Sequence, residues 1–257
     1  MGSAGPHLVN ALGGLRWEVV VYVTSLLTLA GGLLALTVGD GPSPFPKATF
    51  DPRQVGRVFS NRGIRYASLG YLGHMWELFA MWAWFVVFFA DSLRASGSAP
   101  GVRAAYATFA VIGIGGLGCW VGGVLGDRWG RTKTTALMMS VSGACALTIG
   151  LFFEGPVWVV LAIGLVWGFS VIGDSAQFST MVTELADQAY VGTALTLQLA
   201  LGFTLTVATI WLVPVLERTL SWRWTFALLA PGPALGVVAM LKLKASPEAQ
   251  RIAGGRG

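Results

Sequence analysis

The sequence has 257 residues, of which 54% are hydrophobic and only 11% are charged. Soluble domains carry about 25% charged residues, so this composition excludes an ordinary soluble domain and favours a chain embedded in a lipid bilayer. The net charge of +5 does not indicate nucleic-acid binding, because the basic residues stand in short segments between apolar runs and not on one polar face. The expected partner is therefore the lipid bilayer, and no nucleic acid is expected.

Few side chains in the sequence could hold a metal ion or perform covalent catalysis. There are two histidines and two cysteines. Cys119 and Cys145 both fall inside apolar runs, where cysteine usually serves as a small buried residue. The sequence contains no Cys-x-x-Cys pair and no recognisable nucleophile with its base. We therefore predict no metal site and no enzyme activity.

Seven apolar stretches reach the roughly 20 residues that a helix needs to cross a bilayer core. The first is too long for the apolar core of a signal peptide, and Arg16 is the only basic residue before it, so we expect an uncleaved helix. The sequence thus predicts an all-α integral membrane protein with seven transmembrane helices. The predicted spans are residues 17–39, 67–90, 104–125, 133–153, 156–183, 191–214 and 222–243.

Residues 40–66 form the one long polar connection, in which we expect a short amphipathic helix near Val55 to Phe59. Residues 244–257 are interpreted as a tail, and we expect no fixed structure in residues 245–257. Basic residues favour the cytoplasmic side of a membrane protein. The side that carries the long connection has Lys47, Arg53, Arg57, Arg62, Arg65, Arg128, Arg131, Lys133, Lys242, Lys244, Arg251 and Arg256. The other side has Arg16, Arg94, Arg103, Arg218 and Arg223. This bias predicts an outside N-terminus and a cytoplasmic C-terminus.

The stretch from Gly113 to Gly118 fits the pattern G-x-G-x-x-G of dinucleotide-binding proteins. That fingerprint requires a strand before it and a helix after it, whereas this stretch lies inside a predicted span. Gly118, Gly122 and Gly126 recur every four residues, which indicates close packing of helices in a membrane. No cofactor is therefore predicted.

The segment GGVLGDRWGRTK, residues 122–133, concentrates charge between two apolar runs. We call it the signature turn. Glycine permits close approach and a sharp turn, Asp127 can meet the positive N-terminus of a neighbouring helix, and the arginines can pair with acids or lipid phosphates. The alternative is a loop whose charges only set the topology. The residues of the pattern are Gly123, Asp127, Arg128, Gly130, Arg131 and Lys133.

This turn resembles the signature loop of the major facilitator superfamily of secondary transporters, which follows the second and, often less strictly, the eighth helix of that twelve-helix fold. Residues 183–206 resemble the connection from the tenth to the eleventh helix, although Val191 stands where many members have a basic residue. Residues 221–240 and 15–36 resemble the twelfth and the sixth helix. The resemblance implies that the seven spans are helices six to twelve of the family.

On this resemblance the chain divides into a first span (1–39), a cytoplasmic central loop (40–66), the six-helix C-terminal half (67–243) and a cytoplasmic tail (244–257). It implies a fragment whose partner is the missing N-terminal helices of the same transporter. The alternative is a self-contained seven-helix receptor or sensor. A retinal-binding receptor would need a lysine in the middle of its last span, whereas Lys242 and Lys244 lie at its end.

Deep polar residues occur on two of the spans. His74 and Glu77 are three residues apart in the second span, about 13 and 18 Å along the helix from Arg65, and Asp174 and Gln177 repeat that spacing in the fifth. Ionisable groups inside a membrane are costly and usually functional, and both histidine and a carboxyl group in such surroundings can exchange protons near neutral pH.

In the family, helices seven and ten line the transport cavity. The resemblance therefore implies that these four residues are candidates for contact with a small-molecule or ion substrate, or for proton coupling. The alternative is a structural pair and a helix-packing group. Residues 70–84, GYLGHMWELFAMWAW, resemble bacterial members labelled cyanate- or nitrate-permease-like.

Overall fold

The computed structural model describes residues 5–11, 16–39 and 55–257, and within these ranges it contains helices and no strand. The prediction of an all-α membrane protein is confirmed. The helices are α1 (Gly5–Ala11), α2 (Trp17–Ala35), α3 (Val55–Ser60), α4 (Arg62–Ala95), α5 (Arg103–Gly113), α6 (Gly115–Trp129), α7 (Arg131–Ile149), α8 (Val157–Gly173), α9 (Ser175–Leu185), α10 (Val191–Leu220), α11 (Trp222–Thr225) and α12 (Pro231–Lys244). Short 3₁₀ turns follow α7, α11 and α12.

Seven helical segments of the described chain are long and apolar enough to cross a membrane, in agreement with the seven predicted stretches. They are Glu18–Ala35, Arg62–Ala95, Arg103–Trp129, Arg131–Phe152, Val157–Leu185, Val191–Leu220 and Trp222–Lys244. The last six pack together, and we call them the six-helix body. Within it α4 packs on α10 and α12, α7 packs on α8 and α12, and α6 packs on α8.

The second span begins earlier than the sequence predicts. Asn61 caps α4, because its side-chain oxygen accepts a hydrogen bond from the Ile64 amide. The helix can include Arg62 and Arg65 because both side chains are exposed, which lets their charged groups remain in polar surroundings. The short helix expected near Val55 to Phe59 is present as α3, whereas residues 40–54 of the predicted loop lie outside the described ranges.

Two of the spans are not continuous helices. The third span changes from α5 to α6 at Ile114, and the fifth changes from α8 to α9 at Asp174. The second break follows Gly173, which is a poor residue for a helix interior. It places an ionisable residue where the regular helix is interrupted inside the protein.

The glycines of the third span serve helix packing, as their four-residue spacing predicts. A Cβ atom on Gly118 would overlap the carbonyl oxygen of Phe169, and one on Gly122 would overlap that of Gly173. Since only glycine lacks this atom, α6 and α8 can approach at backbone distance. This contact fixes α6, and with it the start of the signature turn, against the span that contains Asp174.

The prediction that residues 245–257 lack fixed structure is wrong. A 3₁₀ turn forms at Pro247–Arg251, and Ile252 after it is fully buried in a cluster with Leu185 and Leu243. The polar composition of the tail does not predict this packing. A few apolar side chains are nevertheless enough to anchor so short a segment.

Candidate functional site

Glu77 lies in the interior of the six-helix body and is 1% exposed. Its Oε1 accepts a hydrogen bond of 2.6 Å from the indole Nε1 of Trp167 in α8. Its Oε2 accepts one of 2.9 Å from the hydroxyl of Ser142 in α7. Both oxygens are therefore satisfied by donors from other spans, and one carboxyl group connects three helices.

His74 lies one helical turn before Glu77, opposite the break in the fifth span. Its Nδ1 is 2.9 Å from Oδ1 of Asp174, and both side chains are almost fully buried. The contact has the distance of an ion pair, and Nε2, the other ring nitrogen of His74, has no hydrogen-bond partner among the described residues. The ring also packs near Tyr71 and Phe178.

Buried polar atoms without a partner are rare in native proteins and are expensive in a membrane interior. The pair of His74 and Asp174 leaves Nε2 of His74 without a partner among the described residues, whereas both oxygens of Glu77 accept hydrogen bonds. Since all three side chains are about 1% exposed, a solute can reach them only after the helices around them move. The structure thus brings together three of the four predicted site residues in a closed cluster.

Gln177, the fourth, belongs to a different site at the signature turn. Its Nε2 donates a 3.1 Å hydrogen bond to the carbonyl of Gly122, and its Oε1 accepts one of 3.1 Å from Nη1 of Arg131. Arg131 also binds both carboxylate oxygens of Glu184 through Nε and Nη2, at 2.9–3.1 Å. Such a bidentate pair is among the strong polar contacts in proteins.

The remaining residues of the signature turn have different surroundings. Asp127 is largely exposed, and its Oδ1 lies 3.2 Å from Nη1 of Arg131, four residues later in the chain. Arg128 and Lys133 are exposed. Gly130 has a φ of 99°, and a Cβ atom there would overlap the carbonyl oxygen of Arg256 in the tail. Gly123 has no neighbour within 4 Å of the position of a Cβ atom.

Three participants were not identified from the sequence. Trp167 and Ser142 hold Glu77, but they look like ordinary interior residues of apolar spans. Glu184 had a detectable signal, because it is an acid in a connection that contains no basic residue. An acidic residue without a basic residue nearby in the sequence indicates that its partner lies in another connection. In the structure that partner is Arg131.

The fold and these two sites define a multi-pass helical membrane protein with an ionisable cluster inside it and a charged turn at one end. The chain belongs to the Major Facilitator Superfamily, whose family model matches residues 1–210. The family resemblance of the sequence is thereby confirmed, and it favours the transporter class over the receptor class.

Two curated relatives are similar to the chain over 194 residues. The glycine betaine/proline/ectoine/pipecolic acid transporter OusA of Dickeya dadantii is 30% identical, and the match covers 68% of the chain and 39% of that protein. The proline/betaine transporter of Salmonella typhimurium is 29% identical, and the match covers 70% of the chain and 38% of that protein. The chain spans about two fifths of the length of these relatives. Neither name supports the narrower resemblance to cyanate or nitrate permeases, which is not confirmed.

Proposed function

We propose that the chain is the C-terminal part of a secondary transporter that moves a small solute by alternating access and is coupled to protons. Family membership and the names of the two relatives support transport of a solute. The buried contact between His74 and Asp174 supports proton coupling, and it is the observation on which the proposal depends.

The geometry suggests how a proton would change the conformation. When Asp174 is ionised, it attracts a protonated His74 and holds α4 against the break between α8 and α9. When Asp174 takes up a proton, the attraction between opposite charges across this 2.9 Å contact is lost. Because a lone charge is costly inside a membrane, proton binding would shift the equilibrium between the two arrangements of the helices.

Glu77 has a different role in this proposal. Its two hydrogen bonds come from α7 and α8. Glu77 therefore holds α4, and with it His74, in position relative to these two helices. Replacement by glutamine would keep the shape but would direct an amide N–H at a donor from one of those helices. We therefore expect Glu77→Gln to disturb the cluster even though the size of the side chain is unchanged.

The signature turn is assigned to the cytoplasmic side of a bacterial inner membrane, with the N-terminus outside. The positive-inside rule supports this assignment, because the end of the body with Arg131 also has most of the basic residues. The other half of the transport path would come from N-terminal helices of the same transporter. The exposed first span supports this, since no residue of Glu18–Ala35 is buried within the protein.

The test is solute uptake by a complete transporter that contains this chain, reconstituted in vesicles and measured as a function of external pH. We expect Asp174→Asn to abolish proton-driven accumulation while exchange of solute across the membrane continues. Glu154→Gln is the matched control, because Glu154 is an exposed acid in the connection before α8. Uptake with unchanged pH dependence in both Asp174→Asn and Glu77→Gln would refute proton coupling through this cluster.

A further inference from the structure

Pro214 lies inside α10 and interrupts the backbone hydrogen bonds of this span. Proline has no backbone N–H, so the carbonyl of the residue four positions before it loses its partner within the helix. In α10 that carbonyl belongs to Ile210. An unpaired carbonyl is costly in a membrane, where no water replaces the missing donor. Ile210 therefore needs a donor from another part of the protein.

Trp84 of α4 supplies this donor. Its indole Nε1 donates a hydrogen bond of 2.9 Å to the carbonyl oxygen of Ile210. An indole in the six-helix body does not always have such a partner, because Nε1 of Trp82, two residues earlier in α4, is buried and has none among the described residues. The contact of Trp84 is therefore explained by the carbonyl that Pro214 leaves free, and not by the burial of an indole alone.

Pro214 also lies where the packing of α10 on the body ends. Val213 is fully buried in the core, whereas none of residues 215–220 is buried. The chain is held again at Trp222, whose indole donates a 2.9 Å hydrogen bond to a carboxylate near the end of α4. Ser221 before it has a φ of 60°, which few residues other than glycine adopt. Residues 215–220 thus lie between two interruptions of the regular helix, with an anchored residue on either side.

We infer that Pro214 is a hinge at which residues 215–220 turn relative to the body, and that Trp84 is the positioning residue that holds this hinge. Helices that contain proline bend where the hydrogen bond is interrupted, and the indole pairs the freed carbonyl on the side of α4. The end of α10 can therefore change direction while Val213 and the rest of the span stay packed. This end lies opposite the signature turn, because the helix with Glu184 directly precedes α10, which runs for 30 residues.

A double-mutant cycle tests the role of Trp84, with unfolding of the purified chain in mixed micelles as the measurement. In Pro214→Ala the backbone N–H at position 214 can pair with the carbonyl of Ile210. We therefore expect Trp84→Phe to raise the unfolding equilibrium constant at least about fivefold more in the unaltered chain than in Pro214→Ala. The packing lost with the larger ring is common to both backgrounds and cancels. Trp82→Phe is the matched control and should have the same effect in both.

The movement is measured as the distribution of distances between two spin labels, by double electron–electron resonance on the chain in lipid nanodiscs. The labels are attached at Arg218→Cys in the hinged segment and at Arg103→Cys at the start of α5, both exposed positions, in a Cys119→Ser background. We expect a narrower distribution in Pro214→Ala than in the unaltered chain, because alanine restores the regular helix. Trp84→Phe should broaden the distribution.

A second pair of labels, at Val207→Cys and Arg103→Cys, is the matched control, because Val207 is exposed and lies before the hinge. Its distribution should be the same in all three chains. Equal widths for the Arg218 pair in the unaltered chain and in Pro214→Ala would overturn the hinge. Equal effects of Trp84→Phe in the two backgrounds of the cycle would overturn the role of Trp84. Neither result bears on the ionisable cluster, so the uptake experiment tests proton coupling independently.

Discussion

Gly122 and Gly123 are neighbours in α6, yet they have opposite surroundings. A Cβ atom on Gly122 would overlap the backbone carbonyl of Gly173 in α8, whereas one on Gly123 would meet no atom within 4 Å. A carbonyl in a helix cannot move aside as a side-chain end can. The first glycine therefore sets the distance between two spans, and the second does not.

We accordingly predict that Gly122→Ala lowers the free energy of unfolding by about 1–3 kcal/mol through overpacking. Gly123→Ala should be neutral or raise it by about 0.5–1 kcal/mol, because alanine favours the helix over glycine. Unfolding in mixed micelles, followed by circular dichroism, measures both. Equal effects of the two substitutions would show that the backbone contact of α6 with α8 does not limit stability.

Single residues of the candidate site could be predicted when their side-chain chemistry stands out in the amino-acid sequence itself. His74, Glu77 and Asp174 were identifiable because ionisable groups are conspicuous in apolar spans. The three-residue spacing of Asp174 and Gln177 could not reveal that Gln177 binds Arg131. Helix periodicity predicts the helix face on which a side chain lies, but it does not predict the residue that the side chain contacts.

At the scale of elements, the segment after α12 packs against the six-helix body near the signature turn. The Ala253 amide donates a 3.1 Å hydrogen bond to Oε2 of Glu184, which also binds Arg131. Ala253 adopts a φ of 49°, which is unusual for a residue other than glycine. Ile252 beside it is fully buried. The tail therefore supports the ion pair of the signature turn.

We predict that Ile252→Ser releases this segment, because a hydroxyl group in the apolar cluster would be unsatisfied. A cysteine in place of Ala186, which lies in the same cluster and is 6% exposed, should then react with a maleimide at least about tenfold faster. The measurement uses a Cys119→Ser background, since Cys119 is the exposed native cysteine of the described chain.

Arg251→Ser is the control for this experiment, because Arg251 is exposed and precedes Ile252. It should leave the labelling rate unchanged. A labelling rate that is the same in Ile252→Ser and in the control would mean that Ile252 does not hold the tail in place.

The membrane spans could be predicted because hydropathy determines them. Interruptions of the helix within a span depend on the backbone conformation and were harder to predict. All seven spans follow from apolar length. The breaks at Ile114 and Asp174 do not, because helix continues on both sides of each break and the hydropathy of a whole span does not report where the helix is interrupted. The docked tail was missed for a related reason: Ile252 is one apolar residue in a polar stretch, and only the cluster in which it lies makes it an anchor.

The whole molecule consists of a packed body and a first span that lies apart from it. The core of the body contains side chains such as Leu229, which is 0% exposed. The main described neighbour of α2 is the short helix α1, and Leu26 of α2 is 64% exposed. In a bilayer such a leucine exchanges protein contacts for lipid contacts at little cost, because lipid tails are equally apolar.

The stability of the body should therefore be nearly independent of α2. We predict that Leu229→Ala lowers the free energy of unfolding by about 2–5 kcal/mol, because it leaves a cavity in a packed core. Leu26→Ala should change it by less than about 0.5 kcal/mol. Unfolding of the full chain in mixed micelles compares the two. If Leu26→Ala proved as destabilising as Leu229→Ala, α2 would have to pack on the body, and its surface would no longer be free for the N-terminal helices that the proposed transporter requires.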